Sequence, residues 1–111
     1  MSDLSKKKCE PCSGNTPKLT SSEINENLLK INKWQLNDKN EMIYKKFLFK
    51  NFKQTIFFVN KVSEIAELEK HHPDFSFGYN YCLIMIHTHA ISALSVNDFI
   101  LASKIDDISK N

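Results

Sequence analysis

Hydrophobic positions change their spacing several times along the chain, and each change marks an element. Thr20 and Glu23 have the spacing of a capping box, with Leu19 and Ile24 at the staple positions around it. Ile24, Leu28 and Ile31 follow at i, i+4 and i+7, which predicts a short amphipathic helix over 20–31. Trp34-Gln35-Leu36 reads as extended, and Asn37-Asp38-Lys39-Asn40 as a turn. From Met42 to Lys50, Ile43, Lys45, Phe47 and Phe49 alternate with Met42, Tyr44, Lys46, Leu48 and Lys50. Apolar and aromatic residues interleaved with lysine predict a half-exposed antiparallel strand, and so a hairpin over 33–50.

The longest periodic stretch comes next. Asn51 can cap it, with Gln54 at the box position, and Phe52, Ile56, Val59, Val62 and Ala66 share one face that Phe58 and Ile65 widen. This predicts a helix over 52–69, stopped by Pro73. Two strands are expected at 74–78 and 81–88 around Tyr79-Asn80. On the second, Cys82, Ile84, Ile86 and Thr88 share one face, and Tyr81, Leu83, Met85, His87 and His89 the other. A last helix over 96–108 starts after Ser95, with Asp98 in its first turn and Phe99, Ala102, Ser103 and Ile105 on its buried side. The order α-β-β-α-β-β-α predicts an α+β fold: a four-stranded antiparallel sheet with three helices on one face.

Composition narrows the functional classes. The 111 residues suffice for one domain, expected over 19–108, while residues 1–18, rich in Ser, Lys, Pro and Gly, are expected to be disordered. The 15 basic residues, all lysine, against 13 acidic ones leave a net charge of +2. Without arginine there is no planar fork for phosphate or guanine, so direct nucleic-acid binding is disfavoured. Gly14 and Gly78 cannot form a glycine-rich phosphate loop. No apolar run of membrane-spanning length occurs, and Met1 to Lys18 lacks the apolar stretch of a secretory signal. Three cysteines, an odd number, fit a reducing compartment; Cys9-Glu10-Pro11-Cys12 has no second CxxC and reads as an inert tail more than a zinc or redox site.

The chemistry concentrates in four histidines. His71 and His72 end the long helix, and His87 and His89 end the last strand. A helix C-terminus and a strand end can converge at one edge of a two-layer fold, and imidazoles there could supply both an acid and a base near neutral pH. Two other readings stand beside this one. The histidines could be structural, or His87-Thr88-His89 could place two metal ligands on one strand face, although the next acids downstream are only Asp98 and Asp106. Glu67, four residues before His71, could orient it, and Phe75 and Phe77 could be core or could wall a flat heteroaromatic ligand.

Glu67-Leu68-Glu69-Lys70-His71-His72-Pro73-Asp74-Phe75, then Tyr79-Asn80, Thr88-His89, Leu94-Ser95-x-x-Asp98 and Leu101-Ala102-Ser103 resemble the pterin-4a-carbinolamine dehydratase family. The resemblance extends upstream through Leu19-Thr20, Trp34 and Phe47-x-Phe49-x-x-Phe52 and covers about 19–108. It implies the same α+β domain and the dehydration of 4a-hydroxytetrahydropterin to quinonoid dihydropterin in tetrahydrobiopterin recycling, with no metal and no organic cofactor. It also implies a homodimer or homotetramer.

Carried onto this chain, the resemblance assigns His71, His72 and His89 as catalytic, His71 and His89 as general acids and His72 in binding and proton transfer. Glu67, Asp74, Phe75 and His87 become supporting or substrate-binding residues. Phe75 replaces a frequent tryptophan, and His87 a small polar residue. The loop Ala90-Ile91-Ser92-Ala93 lacks the family's usual glycines, so a left-handed backbone there would strain Ser92 or Ala93. The alternative implied by the resemblance is a protein-interaction module, since an animal member is the dimerisation cofactor of a homeodomain transcription factor. A cytoplasmic location follows, with the nucleus as a second site.

Overall fold

The computed structural model describes residues 4–10 and 14–109. Its main elements are α1 (Ser21–Leu28), β1 (Gln35–Leu36), β2 (Ile43–Leu48), α2 (Phe52–Glu69), β3 (Asp74–Phe77), β4 (Tyr81–Ile86) and α3 (Val96–Ser109). The strands form one antiparallel sheet in the order β1-β2-β4-β3, and the three helices cover one face of it. The α+β architecture and the element order are those expected from the sequence.

Local chemistry explains the element ends. Thr20 and Glu23 form the reciprocal capping box: the Glu23 N–H donates to Thr20 Oγ1 at 3.2 Å, and the Thr20 N–H to Glu23 Oε1 at 2.9 Å. Asn51 Oδ1 accepts from the Gln54 N–H at 2.9 Å and starts α2. Lys70 closes α2 in the left-handed region (φ 54°), its N–H donating to the Ala66 carbonyl. That turn swings the chain into His71, His72 and Pro73, so the cap of the long helix sets where the two histidines emerge.

The core lies between the sheet and the helices. On β4 the alternation is complete: Cys82, Ile84 and Ile86 are fully buried, and Tyr81, Leu83 and Met85 are half-buried on the outer face. α3 runs through the middle of the helical layer, with Phe99, Leu101, Ala102 and Ile105 all buried. The buried stripe of α2 is Thr55, Phe58, Val62 and Ala66, rotated from the expected one. Phe58 is drawn inward by Phe47 and Phe49, with ring centroids 4.7 and 5.1 Å away, while Phe52 in the first turn stays exposed.

Two expectations change at the edges. α1 ends at Leu28 and gives way to turns, and the strands are shorter than the alternation suggested. Residues 4–10 of the N-terminal segment pack on α3. Leu4 is buried, Asn97 Nδ2 donates to the Glu10 carbonyl at 2.8 Å, and Lys104 Nζ donates to the Ser5 carbonyl at 2.7 Å. One buried apolar anchor and a set of backbone hydrogen bonds hold a stretch whose composition alone reads as tail. Cys12 lies outside the described residues.

Candidate active site

The end of α2 and the end of β4 are tied together by one carboxylate. Asp98, in the first turn of α3, has no exposed surface. Its Oδ1 lies 2.6 Å from His71 Nε2, and its Oδ2 accepts from Thr88 Oγ1 at 2.9 Å and from the Ser95 N–H at 2.8 Å. The Thr88 and Ser95 hydroxyls are 2.7 Å apart. Every element of this knot comes from a different segment: a helix cap, a strand end and a helix start. A buried carboxylate is tolerated only when its oxygens are satisfied, and here both are. Asp98 therefore fixes the plane and direction of the His71 ring, which keeps only 5% of its surface exposed.

His72 emerges on the other side of the same turn. Its Nε2 lies 2.5 Å from Glu67 Oε2, one helical turn back, and both side chains are exposed. Solvent screens such a pair, so it adds little to the fold; Glu67, expected to orient His71, meets His72 instead.

A third group gathers on the outer face. Asp74 stands opposite Met85 in the register of β3 with β4, and His87 follows Met85 two residues later on the same face. His89 continues past the strand, and its ring packs on that of His87 with centroids 4.0 Å apart and 55° between planes. One nitrogen of each imidazole and one Asp74 oxygen lie within 4.8 Å of one another. Phe75 pairs with Ile84 and so faces the helical side, where it packs half-buried against the core.

The sequence-predicted residues thus fall into three neighbouring groups: His71 on Asp98, His72 on Glu67, and Asp74 with His87 and His89. Pro73 joins the second to the third along the chain. Thr88, bonded to Asp98 and flanked by His87 and His89, joins the first to the third. Asp98 and Thr88 received no role from the sequence. The available signal was the Ser95-x-x-Asp98 spacing, which marks a helix start but not the histidine the acid meets. Cys82 belongs to the core, where burial pushes its thiol from 9.0 up to about 11, so it is no nucleophile near neutral pH. A hollow of about 520 Å³ lined by Leu48, Phe49, Lys53, Phe57 and Ile108 contains none of these histidines.

Comparison with known proteins places the chain in a family. The family model for pterin 4 alpha carbinolamine dehydratase matches residues 17–108. A Legionella pneumophila protein, provisionally named pterin-4-alpha-carbinolamine dehydratase, is 47% identical over 108 residues, covering 96% of each chain. A Nitrosospira multiformis protein with the same provisional name is 46% identical over 106 residues, covering 96% of this chain and 92% of its own. The crystal structure of a transcriptional coactivator/pterin dehydratase from Brucella melitensis superposes with a TM-score of 0.79 at 33% identity, over 83% of this chain and 98% of that one. The histidine-bearing helix end and strand end both lie inside the matched range, and this chain belongs to the pterin 4 alpha carbinolamine dehydratase family.

Proposed function

We propose that the chain is a 4a-hydroxytetrahydropterin dehydratase that works by histidine acid/base catalysis. The observation that carries this reading is the Asp98 knot, which ties the His71-His72 helix end to the Thr88-His89 strand end and orients the buried ring. The reaction breaks the bond between C4a and its hydroxyl. Electron density from the adjacent ring nitrogen drives the hydroxyl out, and hydroxide is a poor leaving group. An imidazolium donates a proton so that water leaves instead, and a neutral imidazole takes the proton released from nitrogen. Nothing is oxidised or reduced, and the two transfers leave the protein's net proton count unchanged. Positioned acid/base groups contribute about 10²–10⁴-fold to such steps.

In this reading His89 and His72, both exposed, exchange protons with the substrate and with water. His71 presents one edge to the ligand, its direction set by Asp98. Glu67 aims His72, and Asp74 and His87 border His89 on the outer face. Phe75, on the helical side of β3, supplies apolar surface on the face opposite His87 and His89. A spectroscopic assay with synthetic 4a-carbinolamine tests the reading: purified protein should shorten the lifetime of the carbinolamine well beyond buffer catalysis. A decay rate equal to that in buffer would contradict it.

A protein-binding role for the same fold has one observation of its own. Phe57 and Leu68 on α2 are 63% and 80% exposed, and Phe52 and Leu48 are exposed nearby. Large apolar side chains on one helix favour self-association into a dimer or tetramer, or a helical partner such as a transcription factor. Sedimentation of the pure protein separates these: assembly on its own supports the homo-oligomer, and a monomer leaves the face to a partner.

A further inference from the structure

We propose that Asp74, His87 and His89 form a binding site for a divalent transition-metal ion of the zinc, cobalt or nickel type. Two imidazoles and one carboxylate are the donor set of an open three-ligand zinc site, with the fourth position left to water. The three donor atoms already lie within 4.8 Å of one another. Tetrahedral ligands at normal bond lengths sit about 3.3 Å apart, so the cluster must contract. It can do so by side-chain rotation, because Asp74 and His89 are exposed and only His87 is half-buried.

The backbone preorganises the set. The β3–β4 register places Asp74 diagonally from His87 on the outer face, and the His89 ring packs at a tilt against that of His87. A second observation is independent of the spacing. His87 Nδ1 is buried and has no hydrogen-bond partner, the sole buried side-chain nitrogen or oxygen in that state among the described residues. An imidazole nitrogen in that state is costly, and a cation among the three side chains would give the ring a partner. Imidazole with carboxylate selects zinc, cobalt, nickel or copper over magnesium and calcium.

Occupancy would have a consequence for catalysis, which rests on the dehydratase reading above. His89 cannot hold a metal ion and shuttle a proton with the same nitrogen, so the ion would act as an inhibitor of the dehydratase.

The test is a titration of the full-length, untagged, metal-stripped chain with Co²⁺, followed by visible absorption. One equivalent should bind, with the bands of a nitrogen- and oxygen-ligated ion; Zn²⁺ should displace it and Mg²⁺ should not. His87→Ala should weaken binding at least about tenfold. Asp74→Asn, exposed and isosteric, should weaken it as well, with far-ultraviolet circular dichroism unchanged. No binding, equal binding in both variants, or a thiolate-to-cobalt charge-transfer band from the N-terminal cysteines would overturn the site. The cobalt titration reads the site whether or not the chain dehydrates pterins. In an active preparation, Zn²⁺ should slow turnover and a chelator restore it; turnover indifferent to saturating Zn²⁺ would overturn the inhibitory role.

Discussion

At the residue scale the site depends on a side chain that does not itself meet solvent. Asp98 holds His71, Thr88 and the Ser95 N–H at once. Asp98→Asn keeps the shape and removes one acceptor oxygen, so the His71 ring loses its fixed direction. Turnover should fall about 10–100-fold with KM little changed, and Asp98→Glu should not rescue it because the pocket has no spare room. Steady-state kinetics of the two variants checks this; a change confined to KM would contradict it. Cys82 gives a prediction in pH. Its folded thiol titrates at about 11 against 9.0 for the ordinary group. The thiol is neutral in both states below 9.0, so its burial carries no penalty there; between 9.0 and about 11 only the unfolded chain ionises, and stability falls as pH rises. Urea unfolding of wild type and Cys82→Ala across that range should show the decline in wild type and less of it in the variant. The four histidines and Glu67 stood out in the sequence as polar residues at element ends, but the spacing pointed Glu67 at His71 and the fold places it on His72, while Asp74 stood out only through the family resemblance. The role of Asp98 was not legible, because its partner lies 27 positions away and only folding brings the two together.

At the element scale, caps decided what could be read. α2 has a side-chain cap at one end and Pro73 just past the other, and its limits are those the pattern predicts. α1 has a capping box at its start and no stop signal at its end, and there the expected helix overran by three residues. The face of α2 was harder to place, because Phe52, Phe57 and Phe58 are equally apolar and only Phe58 finds aromatic partners in the sheet. The loop after His89 behaves as its missing glycines suggested: Ser92 adopts φ 48°, ψ 43°. A left-handed conformation costs a residue with a Cβ about 1 kcal/mol or more. Ser92→Gly should therefore raise stability by about 0.5–1 kcal/mol after the added entropy of the unfolded chain is counted. Thermal or urea unfolding measures it, and a destabilised variant would show that the serine side chain contributes more than its backbone costs.

For the whole molecule, a second carboxylate braces the end away from the histidines. Asp106 accepts from Trp34 Nε1 at 3.0 Å, from the Asn32 N–H at 3.0 Å and from Lys45 Nζ at 2.8 Å, joining α3 to the first hairpin. Asp106→Ala would leave the Lys45 ammonium with the Asn32 carbonyl but without its counter-charge, and the Trp34 indole N–H without its acceptor, and should cost about 3 kcal/mol. Denaturant unfolding tests this, and a loss under about 1 kcal/mol would show that water replaces the carboxylate. Together the two acids pin α3 to the sheet at both ends, so the segment after β4 that carries His87 and His89 and the turn after α2 that carries His71 and His72 share one rigid frame. The measurement that bears most directly on that claim is carbinolamine dehydration by the wild-type chain beside a His72→Ala/His89→Ala double variant. The account predicts catalysis by the wild type and a loss of about 10²–10⁴-fold in the variant, with its circular dichroism spectrum intact. A well-folded double variant that dehydrates the carbinolamine at the wild-type rate would contradict it.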